Sequence, residues 1–241
     1  MANRFRRNPL SPDEEAISAK LPAILFDLDG TLMDSNYEHV RAWRLAFRHA
    51  GFEIPNAFLH RCIGLRGDML IRAVFKEMGK TGIEKASKGL EKLHQGYFDK
   101  TLSSIEPLPG AAALLKALSR RKVPWAIATG GDKRSVLKMI RPLSMPAATP
   151  VVTADDVDHA KPEPDVFLVA ARRLDAALTD CIVVGDSVWD LLGARRAKAL
   201  GVGLLCGGYG DAELSRAGAY RVYKNPADLL DHLPEIGIDA Q

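Results

Sequence analysis

Nowhere in the 241 residues is there an apolar run approaching the roughly 20 needed to cross a bilayer, which excludes a helical membrane span. The first residues also lack a secretory signal core, because Arg4, Arg6 and Arg7 are followed by Asp13, Glu14 and Glu15 rather than by an apolar stretch. Residues 1–20 therefore read as a flexible, solvated tail, and a cytoplasmic address is expected. Cysteine is scarce. Cys62, Cys181 and Cys206 are odd in number, far apart and in no metal-ligand spacing, so neither a disulfide framework nor a zinc site is expected. The six histidines show no paired metal spacing either, and each is assigned a surface or structural role. No excess of one charge stands out: 33 Lys and Arg are interleaved with 30 acids, for a net charge of +3, which argues against a nucleic-acid partner. There is no internal repeat and no low-complexity tract.

What is present is a 47% hydrophobic chain, long enough to bury a full core as one large domain or a domain with an insert. Short apolar runs, AILF at 23–26, WAIA at 125–128, VV at 151–152 and CIVV at 181–184, each end in a polar or glycine-bearing turn. Helical patterns at 111–120, 135–140, 164–174 and 190–199 alternate with the later runs. Alternation of this kind predicts an α/β fold, with a Rossmann-like parallel sheet and helices on both faces. VGLL at 202–205 and RVY at 221–223 are expected as additional edge strands. The glycines of GVGLLCGG at 201–208 invite a dinucleotide reading, but Cys206 stands where the third glycine belongs, and the segment is taken as a strand and turn.

After the first run no strand pattern returns until Pro124. Between them Tyr37, Val40, Trp43 and Phe47, then Leu70, Val74 and Met78, then Leu90, Leu93 and Tyr97 fall at helical spacing. A β-α-β connection needs one helix, so this stretch predicts an inserted helical subdomain over 35–104, with the core made of 21–34 and 105–241. PLPG at 107–110 marks the return, Pro109 being suited to a helix start.

Ligands of such sheets bind beyond the carboxyl ends of the strands, where this chain places unusually polar turns. AILF is followed by DLDGT at 27–31, WAIA by Thr129, Gly130 and Gly131, and CIVVG by DSVWD at 186–190; Lys161 in KPEPD is the cation nearest the third run. Gathering Asp27, Asp29, Asp186 and Asp190 at one edge would raise some of their pKa values unless a cation were bound. All-oxygen ligation suits Mg²⁺. The Thr129 hydroxyl, the glycine-turn amides and Lys161 then supply donors for a phosphoryl group. One carboxylate, Asp27 at the strand end, can attack phosphorus while Asp29 exchanges protons with the leaving group and then with water.

FDLDGT at 26–31, Thr129, Lys161 in KPEPDVF and GDSVWD at 185–190 together resemble the four motifs of the haloacid dehalogenase superfamily, in order and across nearly all the chain after residue 20. The resemblance implies Asp27 as nucleophile, Asp29 as acid and base, and Thr129 and Lys161 as phosphate binders, beside the Gly130 amide of the glycine turn. It implies Asp27, the Asp29 carbonyl and Asp186 as Mg²⁺ ligands, with Asp190 supporting the metal's waters or Lys161. The insert after the first motif is similar to the small helical cap of the phosphoglycolate phosphatase and beta-phosphoglucomutase branch. Arg66, between two glycines in IGLRGDM at 63–69, stands on a turn that could aim its guanidinium at the site as a substrate contact, the other reading being an exposed loop arginine. The expected activity is hydrolysis of a small phosphorylated metabolite. A sugar phosphomutase would use the same residues. A phospho-receiver also combines Asp, Thr, Lys and Mg²⁺, but it is shorter and has no helical insert after its aspartate.

Overall fold

The computed structural model describes residues 21–81 and 83–239; the tail at 1–20 lies outside the described residues. Six strands form one parallel sheet: β1 (Ala23–Phe26), β2 (Trp125–Ala128), β3 (Val151–Val152), β4 (Cys181–Gly185), β5 (Leu200–Leu204) and β6 (Ala219–Tyr223), in the order β3-β2-β1-β4-β5-β6. Side chains alternate across a strand, so Ile24 and Phe26 join one cluster while Ala23 and Leu25 join another on the opposite face. β1, β2 and β4 are buried on both faces, which is why their sequences are continuously apolar rather than alternating. The first cluster packs on α5 (Ala111–Arg120) and α6 (Lys133–Met139); the second packs on α7 (Asp165–Arg173) and Ala194 of α8 (Val188–Ala197).

β5 is flanked by β4 and β6, with Ile182 opposite Leu200 and Leu204 opposite Tyr223, so it is an interior strand and only β6 is the edge on that side. The sequence expectation of two edge strands is corrected here. Gly201 and Gly203, which weaken an isolated strand signal, let Leu191 and Leu214 pack directly on the β5 backbone. Helices α9 (Asp211–Ala217) and α10 (Pro226–Asp231) complete the core.

Pro109 is not the first residue of α5. The N-cap is Gly110, in a left-handed conformation with φ +83°, and the Pro109 carbonyl accepts from the Ala227 N–H at 3.0 Å. A Cβ on Gly110 would stand 2.4 Å from the Ala227 Cα, against backbone that cannot rotate away. Gly110→Ala is therefore expected to destabilise the fold by about 2–4 kcal/mol, combining backbone strain with overpacking, as read by urea unfolding.

The inserted segment forms α1 (Asn36–His49), α2 (Asn56–Cys62), α3 (Gly67–Glu77) and α4 (Ile83–Phe98). Val40, Trp43, Phe47, Leu59, Leu70, Val74 and Leu90 close a hydrophobic cluster of their own. The strands entering and leaving this cap are tied together: the Asp34 N–H donates to the Glu106 carbonyl and the Leu108 N–H to the Leu32 carbonyl, both at 2.9 Å. That pairing stations the cap over the carboxyl end of β1. No helix among the described residues is long and apolar enough to cross a membrane.

Candidate active site

The chain leaves β1, builds β2 and β3 on one side, then returns to the other side with β4, so the strand order reverses between β1 and β4. Turns diverge at such a point and open a crevice. Asp27 sits at its edge, its N–H bonded to the Val184 carbonyl at 2.9 Å, and Asp186 follows β4 directly. Thr129 follows β2, its N–H bonded to the Val152 carbonyl at 3.0 Å.

Lys161 is almost fully buried and bridges two carboxylates, Asp27 Oδ1 at 2.5 Å and Asp190 Oδ1 at 2.7 Å. The Lys161–Pro162 peptide is cis. Burial alone would lower the lysine's pKa, but Asp190 and Asp27 outweigh it and hold the ammonium charged above its ordinary value. Asp190 also caps α8: its Oδ2 accepts from the Ser187 N–H and hydroxyl at 3.2 and 2.5 Å. The tie to Lys161 is one of the two roles expected for Asp190.

Oxygens of Asp27, Asp186 and Asp190 all lie within 4.8 Å of one another, so this buried trio can hold a metal. Asp186 is fixed from both sides, by the Thr31 hydroxyl at 2.9 Å and the Asn36 amide at 2.8 Å. Burial pushes its pKa up to about 7, with Asp190 adding to the rise and the two hydrogen bonds opposing it. Asp27 is pushed well above the usual carboxylate range by burial, Lys161 pulling it down and Asp190, Asp186 and Asp29 pushing it up. One lysine does not neutralise this crowd. The donors are all oxygens, and the buried Asn36 Oδ1 has no hydrogen-bond partner among the described residues, an arrangement that fits a hard divalent cation with its waters.

The Asp29 side chain turns away from the trio. Its Oδ1 accepts from Ser35 at 2.5 Å and meets His39 Nε2 at 3.2 Å, while its Oδ2 lies 3.4 Å from the Thr129 hydroxyl. Burial raises its proton affinity, but the His39 charge and bond, Ser35 and Lys161 outweigh it and leave Asp29 below its ordinary value. His39 Nδ1 faces His94 Nε2 at 3.1 Å, and burial, with His39, holds His94 well below the ordinary histidine range. A neutral His94 can accept at Nε2 from the His39 Nδ1–H, while the His39 Nε2–H donates to Asp29.

Asp27, Asp29, His39, His94, Thr129 and Lys161 line one cavity of about 520 Å³ between core and cap, with Gly130, Gly131 and Trp43. The Gly131 N–H donates to Thr129 Oγ1 at 3.1 Å, which aims the hydroxyl. Arg66 also lines the cavity, but its guanidinium is engaged: Nε and one terminal nitrogen bond Asp68 at 2.7 and 3.2 Å, and the other terminal nitrogen bonds the Asp158 carbonyl at 2.8 Å. Sequence reasoning missed Asn36, His39, His94 and Gly207; the histidines come from cap helices, with nothing in their spacing to mark them.

The family of haloacid dehalogenase-like hydrolases matches residues 21–198. The chain belongs to that family. Among its relatives, Hexitol phosphatase A of Escherichia coli (strain K12) is 36% identical over 166 residues, covering 68% of this chain and 73% of that protein. Phosphoglycolate phosphatase of the same organism is 30% identical over 239 residues, covering 89% and 92%. The crystal structure of a hydrolase from Pseudomonas syringae superposes with a TM-score of 0.86 at 41% identity, over 89% of this chain and 99% of that one. This haloacid dehalogenase-like hydrolase falls in the phosphoglycolate phosphatase-like branch, and its helical insert between β1 and β2 is consistent with a cap. It is a phosphatase of small phosphate monoesters.

Proposed function

We propose that the chain hydrolyses its phosphate ester through a covalent phosphoaspartate on Asp27, with Mg²⁺ as the cation of the carboxylate trio. The observation that carries this reading is the buried junction of Asp27, Lys161, Asp190 and Asp186, in which opposite charges 2.5–2.7 Å apart still leave acidic groups uncompensated. Asp27, Asp186 and Asp190 would hold Mg²⁺, which would supply positive charge to offset the carboxylates and polarise a phosphoryl group.

Asp27 forms the new oxygen–phosphorus bond as the ester oxygen leaves, and Asp29 protonates that oxygen. The charge of an arriving phosphoryl group raises the proton affinity of Asp29, which suits it to this donation. Afterwards Asp29, again a carboxylate beside His39, removes a proton from the water that attacks the phosphoaspartate. Lys161, the Thr129 hydroxyl and the amide of Gly130 hold the equatorial oxygens, where the loose transition state carries its charge, and the Gly131 amide holds Thr129. Asp190 holds Lys161 in place.

The hexitol and phosphoglycolate phosphatases among the relatives bracket the range of substrates this site would take. A phosphomutase must in addition hold a second phosphoryl group on the cap side. Among the described cap residues lining the cavity, Arg66 is the one permanent cation, and Asp68 already neutralises it. That favours hydrolysis. The test is turnover of an aryl phosphate by purified protein: it is expected in Mg²⁺, to vanish with a chelator and to return on adding Mg²⁺. Full activity in the chelator would overturn the metal assignment.

A further inference from the structure

The wall of the cavity that faces the catalytic aspartates belongs to the cap and carries Trp43, Arg66, Asp68 and Glu91. Its charge is lopsided. Arg66 bonds Asp68 through two hydrogen bonds and a core carbonyl through a third; it also attracts Glu91, so two carboxylates share this one guanidinium and the wall keeps an excess of negative charge. Glu91, on α4, is half-buried and has no hydrogen-bond or ion-pair partner among the described residues. It is held in position. The space where a Cβ of Gly67 would lie is bordered by Glu91 Cγ at 3.2 Å, Glu91 Oε1 at 3.3 Å and Trp43 Cζ2 at 3.3 Å, so the carboxylate is packed against the start of α3 beside an aromatic edge. Burial, with Asp68 adding and Arg66 and Lys88 opposing, raises its proton affinity.

An ionised carboxylate accepts hydrogen bonds and has none to give, so it takes hydroxyl donors and repels another carboxylate. The adjoining Trp43 and Leu70 side chains give apolar surface for C–H groups. We infer that Glu91 is a specificity-determining residue that selects a neutral, hydroxyl-rich leaving group, a sugar or open-chain polyol, over one ending in a carboxylate. This rests on the phosphatase reading above and names the substrate class for the same site.

The test compares two esters of equal length that differ at one end: glucitol 6-phosphate, ending in CH₂OH, and 6-phosphogluconate, ending in a carboxylate. 2-Phosphoglycolate is assayed beside them. A hydrogen bond to a charged partner stabilises by about 1.5–3 kcal/mol, so kcat/KM is expected to favour glucitol 6-phosphate by roughly 10–100-fold. Glu91→Gln is expected to shrink that ratio, mainly through KM, and Glu91→Lys to reverse it. The wild-type ratio needs no variant, so a misfolded substitution would not shield the inference. Equal or better turnover of either carboxylated ester by the wild type, or turnover of neither six-carbon ester while an aryl phosphate is hydrolysed, overturns the role of Glu91. So does a ratio unmoved in folded Glu91 variants. Absence of aryl phosphate turnover in Mg²⁺ would instead defeat the phosphatase reading itself.

Discussion

Asp27→Asn is expected to leave a folded protein that turns over an aryl phosphate at least roughly 10⁴-fold more slowly, since losing a nucleophile removes the covalent route altogether. The substitution keeps shape and removes charge. In the native site Asp27 faces Lys161 at 2.5 Å but is also repelled by Asp190, Asp186 and Asp29. The lost attraction and the lost repulsion partly offset each other, and Lys161 retains Asp190 at 2.7 Å. The melting temperature should therefore move by only a few degrees while kcat collapses. Acid-quenched wild-type protein, incubated with a phosphate-labelled ester, should carry label that the variant lacks. Undiminished turnover in Asp27→Asn would remove the covalent mechanism.

The second large effect is expected at a residue that touches no substrate. Gly207 closes the site from behind Asp186, and a Cβ there would lie 1.8 Å from Asp186 Oδ2 and 2.4 Å from its Cγ. Neither side yields easily. Asp186 is held by Thr31 and Asn36, and the Gly207 carbonyl is itself bonded by His60 Nε2 at 2.7 Å and the Asn36 amide at 3.3 Å. Gly207→Ala must displace the carboxylate that completes the proposed Mg²⁺ site. Disturbing the support of a metal ligand typically weakens affinity by about 10–100-fold, and the Mg²⁺ concentration for half-maximal activity should rise by that factor. Gly96→Ala is the control, because that helical glycine has nothing within 4 Å of a new Cβ. An unchanged Mg²⁺ requirement in Gly207→Ala would remove Asp186 from the metal site.

Much of the core was readable before any coordinates. The run AILF followed by two aspartates flanking one residue, a threonine after the second strand, and aspartates after the fourth are local signals, because burial and the strand period act on neighbours in sequence. The helices of the insert followed from spacing in the same way. The strand at 200–204 was placed at an edge because two glycines dilute its pattern, whereas its neighbours on both sides were set by the sheet order.

Sequence by itself determined the parallel sheet, the helical insertion and the chemical identity of the residues at the strand ends. Tertiary structure alone decided which cap groups meet them. His39, His94 and Glu91 sit on amphipathic helices where any polar residue could have faced solvent. Only the packing of α1 and α4 over the end of β1 turns those three inward. The physical reason is range. Strand and helix patterns are fixed by contacts a few residues apart, whereas the cap wall arises between elements joined through the paired segments at residues 32–34 and 106–108, where local periodicity has no reach.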